Sequence, residues 1–176
     1  MDRRYGNPVM GGRVVRRRLP LLLLAGLALT AGASAREAPP VPQAVDLSAD
    51  ATLAATTGRP LMLVITRKHC GYCALLKRAV IVPMIISGEY AERVIIRELV
   101  IDEGPDLLDF GRQRVSPFAV ADRYDALFAP VVLLVGPGGE ELHERLIGIS
   151  NDEMYLFYLD QAIEQATETL RTSVSD

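Results

Sequence analysis

An uninterrupted run of uncharged residues, Leu61 to Thr66, precedes the two cysteines of the chain, Cys70 and Cys73. Six such residues in succession are typical of a strand that is buried on both faces. A helix is predicted to follow from Cys70 toward Val82, and the ring of Pro83 should end or kink it. The sequence therefore predicts that both cysteines lie where a central strand passes into a helix.

The rest of the chain alternates between helical and strand patterns. Ser116 followed by Pro117 predicts a helix start, because serine is a favoured N-cap and proline is tolerated in the first turn. Residues 103–115 are interpreted as a loop. The order helix, strand, helix, strand, helix, strand, strand, helix predicts an α/β fold with a central mixed β-sheet flanked by helices. Further helices are predicted at 46–57 and 117–124, and a last helix follows a capping box of Ser150 and Glu153 and carries an apolar stripe from 155 to 170. The further predicted strands cover 94–102, 131–135 and 140–147, the last two as an antiparallel pair.

The spacing of Cys70 and Cys73 favours reversible redox chemistry over a structural cross-link. Residues three apart on a helical turn lie about 5–6 Å from each other, which allows a disulfide. A disulfide that closes so short a loop stabilises the folded state by only about 2 kcal/mol, against about 3 kcal/mol for a fifteen-residue loop. The helix N-terminus, with Arg67, Lys68 and His69 before it, should favour the Cys70 thiolate, which is the nucleophilic form. Cys73, one turn deeper, should then attack a mixed disulfide.

Metal binding is the main alternative for this cysteine pair. A structural zinc site requires four ligands, and the chain offers two cysteines and two histidines. His69 adjoins Cys70, and His143 lies far along the chain on a predicted strand. We therefore expect no metal and no cofactor, although a metal site and an inert pair remain alternatives.

The first 35 residues have the pattern of an export signal. Four arginines between positions 13 and 18 precede an uncharged stretch that ends in Ala33-Ser34-Ala35, the small-x-small motif that signal peptidase cleaves. An uncleaved anchor is the alternative, and general secretion and twin-arginine export both remain open. The predicted organisation is a signal peptide at 1–35, a proline-rich linker at 36–45 and one domain at 46–172. After cleavage we expect no stable membrane insertion and a periplasmic or secreted protein in an oxidising compartment.

The charge distribution limits the partners of the mature chain. Residues 36–176 contain 13 basic and 21 acidic side chains. This balance argues against a nucleic-acid partner, because nucleic-acid binding requires a basic face. A content of 49% hydrophobic and 23% charged residues is typical of a globular protein rather than a disordered one.

The segment Pro60–Lys77 (PLMLVITRKHCGYCALLK) resembles the strand, redox site and helix of thioredoxin-fold proteins. A second segment of the chain matches the same family in the order of its parts. These parts are Ala129-Pro130, a strand, a glycine-rich turn, a return strand and Gly148. The Gly-Tyr dipeptide between the cysteines is similar to that of the bacterial periplasmic disulfide isomerases. The resemblance covers residues 46–172 and implies a thioredoxin-like fold.

The resemblance also implies the functional residues. Cys70 and Cys73 would be the catalytic pair, and a cis bond would place Pro130 beside Cys70, with the Ala129 backbone presented to an extended substrate. Among the neighbouring residues, we consider His69, Gly71 and Tyr72 as candidate substrate contacts. His69 and Tyr72 could equally be ordinary exposed residues at the start of the helix.

Two positions depart from the family pattern. Thioredoxins carry a tryptophan before the first cysteine, where this chain has His69, and a buried aspartate six residues before it, where this chain has Val64. Glu98 or a water molecule is the candidate replacement as proton acceptor. The disulfide isomerases also have an N-terminal dimerisation domain, for which residues 36–59 are too short, so we do not expect efficient isomerase activity. We expect a monomer.

Two functional classes follow from the sequence. The first is a thiol–disulfide oxidoreductase that exchanges disulfides with the protein thiols of exported proteins and is served by a redox partner protein. The second is a redox sensor or binding module of the same fold that does not turn over. The direction of electron flow stays open, because about 30 mV of reduction potential corresponds to only 1.4 kcal/mol.

Overall fold

The computed structural model describes residues 40–150 and 152–173, and the predicted signal peptide at 1–35 lies outside them. Within these residues the helices and strands are, in chain order, α1 (Leu47–Thr57), β1 (Leu61–Thr66), α2 (Gly71–Leu76), a π-helical turn (Lys77–Ile81), α3 (Val82–Ser87), β2 (Ile95–Val100), β3 (Leu107–Leu108), β4 (Arg114–Val115), α4 (Pro117–Arg123), β5 (Val131–Val135), β6 (Leu146–Ile147) and α5 (Asp152–Ser173).

The main sheet has the strand order β2-β1-β5-β6 in the described part of the chain. Strand β1 runs parallel to β2 and antiparallel to β5, and β5 runs antiparallel to β6. This confirms the predicted mixed sheet. Every residue of β1 and β5 is buried, because both strands lie inside the sheet with helices on both faces. That position explains why their sequences are apolar without alternation.

Helices cover both faces of the sheet, and the side chains of β1 alternate between them. Met62 and Val64 face a core formed with α2, α3 and α5. Leu61, Leu63 and Ile65 face a second core formed with α1 and α4. The cysteines therefore lie on a helix that is fixed by its own hydrophobic face against the sheet.

The helix after β1 is longer than predicted and does not end at Pro83. It continues to Ser87 through the π-helical turn, in which the Val82 N–H donates to the Lys77 carbonyl five residues earlier. Pro83 then follows the π-helical turn directly, inside the continuous helix, and its ring does not end the helix. We call the continuous helix Gly71–Ser87 the cysteine helix.

Two predicted segments differ in the structure. The predicted loop at 103–115 contains the short hairpin β3–β4. The predicted strand at 140–147 is interrupted: Leu146 and Ile147 pair with β5, and Glu141 makes one isolated bridge to Val135. Between them Arg145 folds back, with its guanidinium on the Tyr124 carbonyl and on Glu141. Two-residue strands are too short for periodicity to reveal them.

The end of the predicted linker is part of the folded domain. The Glu98 N–H donates to the Pro42 carbonyl at 2.7 Å, and the Ala44 N–H donates to the Glu98 carbonyl at 2.8 Å. The Leu108 N–H likewise donates to the Val45 carbonyl at 3.0 Å. The segment is extended, as its prolines predicted, but it covers the edge of β2 rather than only spacing the domain. An uncovered strand edge would leave its backbone groups unpaired.

Candidate redox site

Cys70 and Cys73 form a disulfide with a Cα–Cα distance of 5.2 Å. Cys70 is the N-cap of α2, with extended backbone angles, and Cys73 lies in its first turn. The sequence puts them there because β1 ends at Thr66 and the helix begins at Gly71, within four residues. The structure thus joins the two cysteines as their spacing predicted.

The two sulfurs have different surroundings. Cys73 is 1% exposed, whereas Cys70 is partly exposed. The Cys73 N–H donates to Sγ of Cys70 at 3.1 Å, so the Cys70 sulfur caps an otherwise free amide of the helix. A thiolate at this position would be stabilised by that amide and by the helix dipole. The more exposed cysteine is therefore also the one whose sulfur the helix would stabilise as an anion.

The segment before β5 lies against Cys70. The Ala129–Pro130 bond is cis, as predicted. The Ala129 carbonyl oxygen lies 3.8 Å from Sγ of Cys70. The segment is held from both sides, because the Arg67 guanidinium donates to the Leu127 carbonyl at 3.1 Å and the Gly148 N–H donates to the Pro130 carbonyl at 2.8 Å. The structure therefore brings Ala129 and Pro130 to the cysteine pair.

The remaining predicted contacts lie on the surface around Cys70. His69, Gly71 and Tyr72 are all exposed, Tyr72 at 66%. A Cβ added at Gly71 would meet nothing within 4 Å, so packing does not require glycine there. The neighbouring Lys68 forms an ion pair with Glu103.

A buried carboxylate lies beneath the cysteine helix. Glu98 of β2 is 4% exposed, and its Oε1 accepts a hydrogen bond from Thr66 Oγ1 at 2.7 Å and lies 2.8 Å from Lys77 Nζ. Its Oε2 accepts from Gln43 Nε2 at 2.8 Å. Three elements thus meet at one side chain: the N-terminal segment, the central strand and the π-helical turn. A glutamate inside the apolar run of β2 was the sequence signal for it, but its partners could not be identified from sequence.

The sequence reasoning did not single out Phe128, which precedes the segment that lies against Cys70. It immediately precedes Ala129 and is 80% exposed, although its neighbour Ala126 is buried. An aromatic residue two positions before the matched proline was the available signal. Its exposure depends on the bend of the segment, which the sequence does not reveal.

In the described part of the chain, no group of three or more His, Cys, Asp or Glu side chains is placed to hold a metal ion. Within the same residues no helix is long and apolar enough to cross a membrane.

The mixed sheet, with a cysteine pair at a helix N-terminus facing an alanine–cis-proline segment, defines a thioredoxin-fold protein with a redox-type site. The thioredoxin-like family model matches residues 42–137, more than half of the chain, and the chain belongs to this family. No curated protein matches it. The fold and the close cysteine pair together support a thiol–disulfide oxidoreductase at the general level.

The solved structures to which the chain is similar include two thioredoxins. Thioredoxin O2 from Arabidopsis thaliana is 20% identical with a TM-score of 0.44, covering 69% of this chain and 91% of its own. Mitochondrial thioredoxin 3 from Saccharomyces cerevisiae is 18% identical with a TM-score of 0.47, covering 70% and 93%. A DsbH oxidoreductase is 13% identical with a TM-score of 0.55, covering 72% and 88%, and at that identity the similarity shows a shared fold.

Proposed function

We propose that this protein is a thiol–disulfide oxidoreductase that acts on exported proteins through Cys70 and Cys73. The observation that carries the proposal is the asymmetry of the pair: Cys73 is buried, while Cys70 is partly exposed and its sulfur accepts the Cys73 N–H. A cross-link that only stabilised the fold would not need one sulfur open to a second protein.

In the reductive direction the Cys70 thiolate attacks one sulfur of a substrate disulfide. A mixed disulfide forms, and the other substrate sulfur leaves as a thiolate that takes up a proton. The Cys73 thiolate then attacks Sγ of Cys70, which releases the second substrate thiolate and closes the Cys70–Cys73 disulfide. Two electrons pass from the protein to the substrate, and a redox partner protein returns them from its own dithiol. The oxidative direction is the reverse sequence.

Ala129 and Pro130 would hold the substrate during this exchange. Ala129 is partly exposed, and its carbonyl oxygen lies 3.8 Å from Sγ of Cys70, the proposed attacking sulfur. An extended substrate can donate a backbone N–H to such a carbonyl, as a strand adds to a sheet edge. His69, Gly71 and Tyr72 are exposed around the same sulfur and would contact the substrate next to its cysteine.

Glu98 is the proposed acceptor of the Cys73 proton. Its register partner in β1 is Val64, the position at which the family resemblance implies an acidic residue. Paired residues of adjacent strands project to the same face of a sheet. The cysteine helix covers this face, and its Lys77 reaches the Glu98 carboxylate. A buried carboxylate therefore lies under the helix that carries Cys73.

Export rests on the sequence alone. The proposed mature protein begins at Arg36, after a cleaved signal peptide at 1–35, and acts as a periplasmic or secreted monomer with residues 46–172 as its thioredoxin-like domain. An oxidising compartment supplies disulfide-bonded proteins as substrates.

Turnover with a protein disulfide separates this function from a sensor or binding module. The wild-type protein should accelerate the reduction of insulin by dithiothreitol, followed as precipitation of the reduced chains. Cys70→Ser should show only the uncatalysed rate. If the wild-type protein reacts once with insulin and adds nothing to the steady rate, it is a sensor or binding module and the proposal is wrong.

A further inference from the structure

The N-terminal segment before α1 reaches the buried carboxylate of Glu98 through the side chain of Gln43. The Gln43 Nε2 donates to Oε2 of Glu98 at 2.8 Å and to the Val41 carbonyl at 3.3 Å. An ionised carboxylate and a carbonyl only accept hydrogen bonds, so both partners require this orientation of the amide. A residue of the predicted linker therefore contacts the proposed proton acceptor directly.

The side chain of Gln43 is not what holds the segment on the edge of β2. The backbone bonds to Glu98 come from the residues on either side, the Pro42 carbonyl and the Ala44 N–H. Gln43 is exposed, whereas Glu98 is 4% exposed. A change of the Gln43 side chain should therefore alter the hydrogen bonding of the carboxylate and leave the backbone bonds of the segment in place.

Three donors surround the Glu98 carboxylate in the described part of the chain. Thr66 Oγ1 and Lys77 Nζ reach Oε1, at 2.7 and 2.8 Å, and Gln43 Nε2 reaches Oε2 at 2.8 Å. Lys77 carries the charge in this group, since Thr66 and Gln43 are neutral. A carboxylate has about four acceptor positions, two on each oxygen, so a second position on Oε2 can take a proton.

We propose that Gln43 is a positioning residue for the second step of the exchange and acts through Glu98. This inference rests on the proposed function, in which Glu98 takes the Cys73 proton. The Gln43 N–H stabilises the carboxylate form and holds Oε2 in one orientation. Once Oε2 is protonated, the amide can turn by half a rotation and accept the new O–H with its carbonyl oxygen. One exposed side chain thus serves both protonation states of the buried acid.

The second step needs no reagent other than water. The proton of the Cys73 thiol passes to Oε2 of Glu98, and the resulting thiolate attacks Sγ of Cys70. The bond between Cys70 and the substrate sulfur breaks, and the substrate leaves with the electron pair as a thiolate. Water supplies the proton that this thiolate takes up and receives the proton that Glu98 gives back.

The test measures the second step against pH in the wild-type protein and in Gln43→Met, which keeps an unbranched side chain and removes the donor. The probe is glutathione disulfide in excess over the reduced protein. The mixed disulfide with glutathione then forms early, and its loss to the Cys70–Cys73 disulfide does not depend on the probe concentration. Acid quenching at successive times and intact mass spectrometry give the rate of that loss.

The wild-type rate should rise with pH, because Glu98 accepts a proton only as a carboxylate. Gln43→Met should move the midpoint of this profile up by about one pH unit and slow the step about tenfold below the midpoint, because a hydrogen bond to the charged form is lost. Gln43→Lys should move the midpoint down, because a nearby positive charge favours the carboxylate. A merely structural role would not produce shifts of opposite sign.

Two controls accompany these variants. Gln161→Met makes the same change at an exposed position of α5 and should leave the profile unchanged. Adding Gln43→Met to Glu98→Gln should slow the second step no further than Glu98→Gln alone, because Gln43 acts only through the carboxylate.

An unshifted profile for Gln43→Met, with Glu98→Gln slowing the second step, would overturn the inference and leave the proposed function standing. A second step that Glu98→Gln does not slow would overturn both the role of Glu98 and the inference, and turnover of insulin would still decide whether the protein is an oxidoreductase. If Gln43→Met slows the second step equally in the Glu98→Gln background, Gln43 acts through another group and the inference is wrong.

Discussion

The Nζ of Lys77 lies 2.8 Å from Oε1 of Glu98 and joins the π-helical turn of the cysteine helix to the central sheet. The two partners differ in burial, since the side chain of Lys77 is 35% exposed and that of Glu98 only 4%. Removing Lys77 and removing Glu98 should therefore lower the free energy of unfolding by different amounts. A released lysine can turn toward water, whereas a released carboxylate stays buried.

Lys77→Met should destabilise the oxidised protein more than Glu98→Gln does. We expect a loss of about 3 kcal/mol for Lys77→Met, because an uncompensated buried carboxylate remains. Glu98→Gln should cost about 1 kcal/mol, since the hydrogen bonds to Thr66 and Gln43 can be partly kept. Urea unfolding measures both. Arg78→Met, on the same turn but exposed, is the control and should change stability by less than about 0.5 kcal/mol. Equal or reversed losses would contradict the account of this ion pair.

Glu98→Gln should also slow the second half of the exchange. If Glu98 takes the Cys73 proton, its loss lengthens the life of the mixed disulfide, while the first attack by Cys70 keeps its rate. Quenching the reaction with acid at successive times and weighing the species by mass spectrometry separates the two steps. A change confined to the first step would assign Glu98 a different role.

A pair of glycines tests where the fold has room for a side chain. A Cβ at Gly104 would lie 2.6 Å from the Val100 carbonyl oxygen and 2.8 Å from Cγ of Pro117, so Gly104→Ala should cost about 1–3 kcal/mol. Gly71, at the start of α2, has open space, and Gly71→Ala should stabilise the protein by about 0.4–1 kcal/mol. Denaturant unfolding measures both changes, as shifts in the midpoint with the slope of the free energy against denaturant unchanged. Destabilisation by Gly71→Ala would mean that the backbone conformation at this position requires glycine.

Acid should weaken the β3–β4 hairpin through Asp109. The Gln113 N–H donates to its Oδ1 at 2.8 Å and Arg123 lies 2.7 Å from its Oδ2; the backbone hydrogen bond first, and then Arg123, lower the pKa of this carboxyl below 3.8. A lowered folded-state pKa means that the stabilisation is complete above about pH 4 and is lost as the pH falls through the folded value.

The wild-type protein should therefore exceed Asp109→Asn in stability at neutral pH, and the difference should shrink below about pH 4. Asparagine keeps an oxygen for the Gln113 N–H and removes the charge. Asp106→Asn, an exposed change next to the same hairpin, serves as the control. Urea midpoints compared at about pH 7 and about pH 3 give the result. A stability difference between wild type and Asp109→Asn that grows in acid would contradict the lowered pKa of Asp109.

The sequence was enough to predict the strands that are buried on both faces. The observed bounds of β1 and β5 equal the predicted ones, because an interior strand is apolar at every position. It missed elements that depend on partners distant in sequence. The segment at 42–46 is extended by its prolines, but only the free edge of β2 makes it part of the sheet.

The candidate site also has residues that the sequence predicted and features that it could not reveal. The spacing of the cysteines and the family resemblance were enough to bring Cys70, Cys73, Ala129 and Pro130 together. The exposure of Phe128 could not be predicted from sequence, because it follows from how the loop bends rather than from any local pattern.

The most direct test of the central claim is mixed-disulfide trapping by the two serine variants. Reduced Cys73→Ser and reduced Cys70→Ser are each incubated with oxidised insulin, quenched with iodoacetamide and separated on a non-reducing gel. The account predicts a dithiothreitol-sensitive adduct of protein and insulin chain for Cys73→Ser, because Cys70 attacks and nothing resolves the product. It predicts no adduct for Cys70→Ser, because the buried Cys73 sulfur is out of reach. Adducts with Cys70→Ser, or with neither variant, would contradict it.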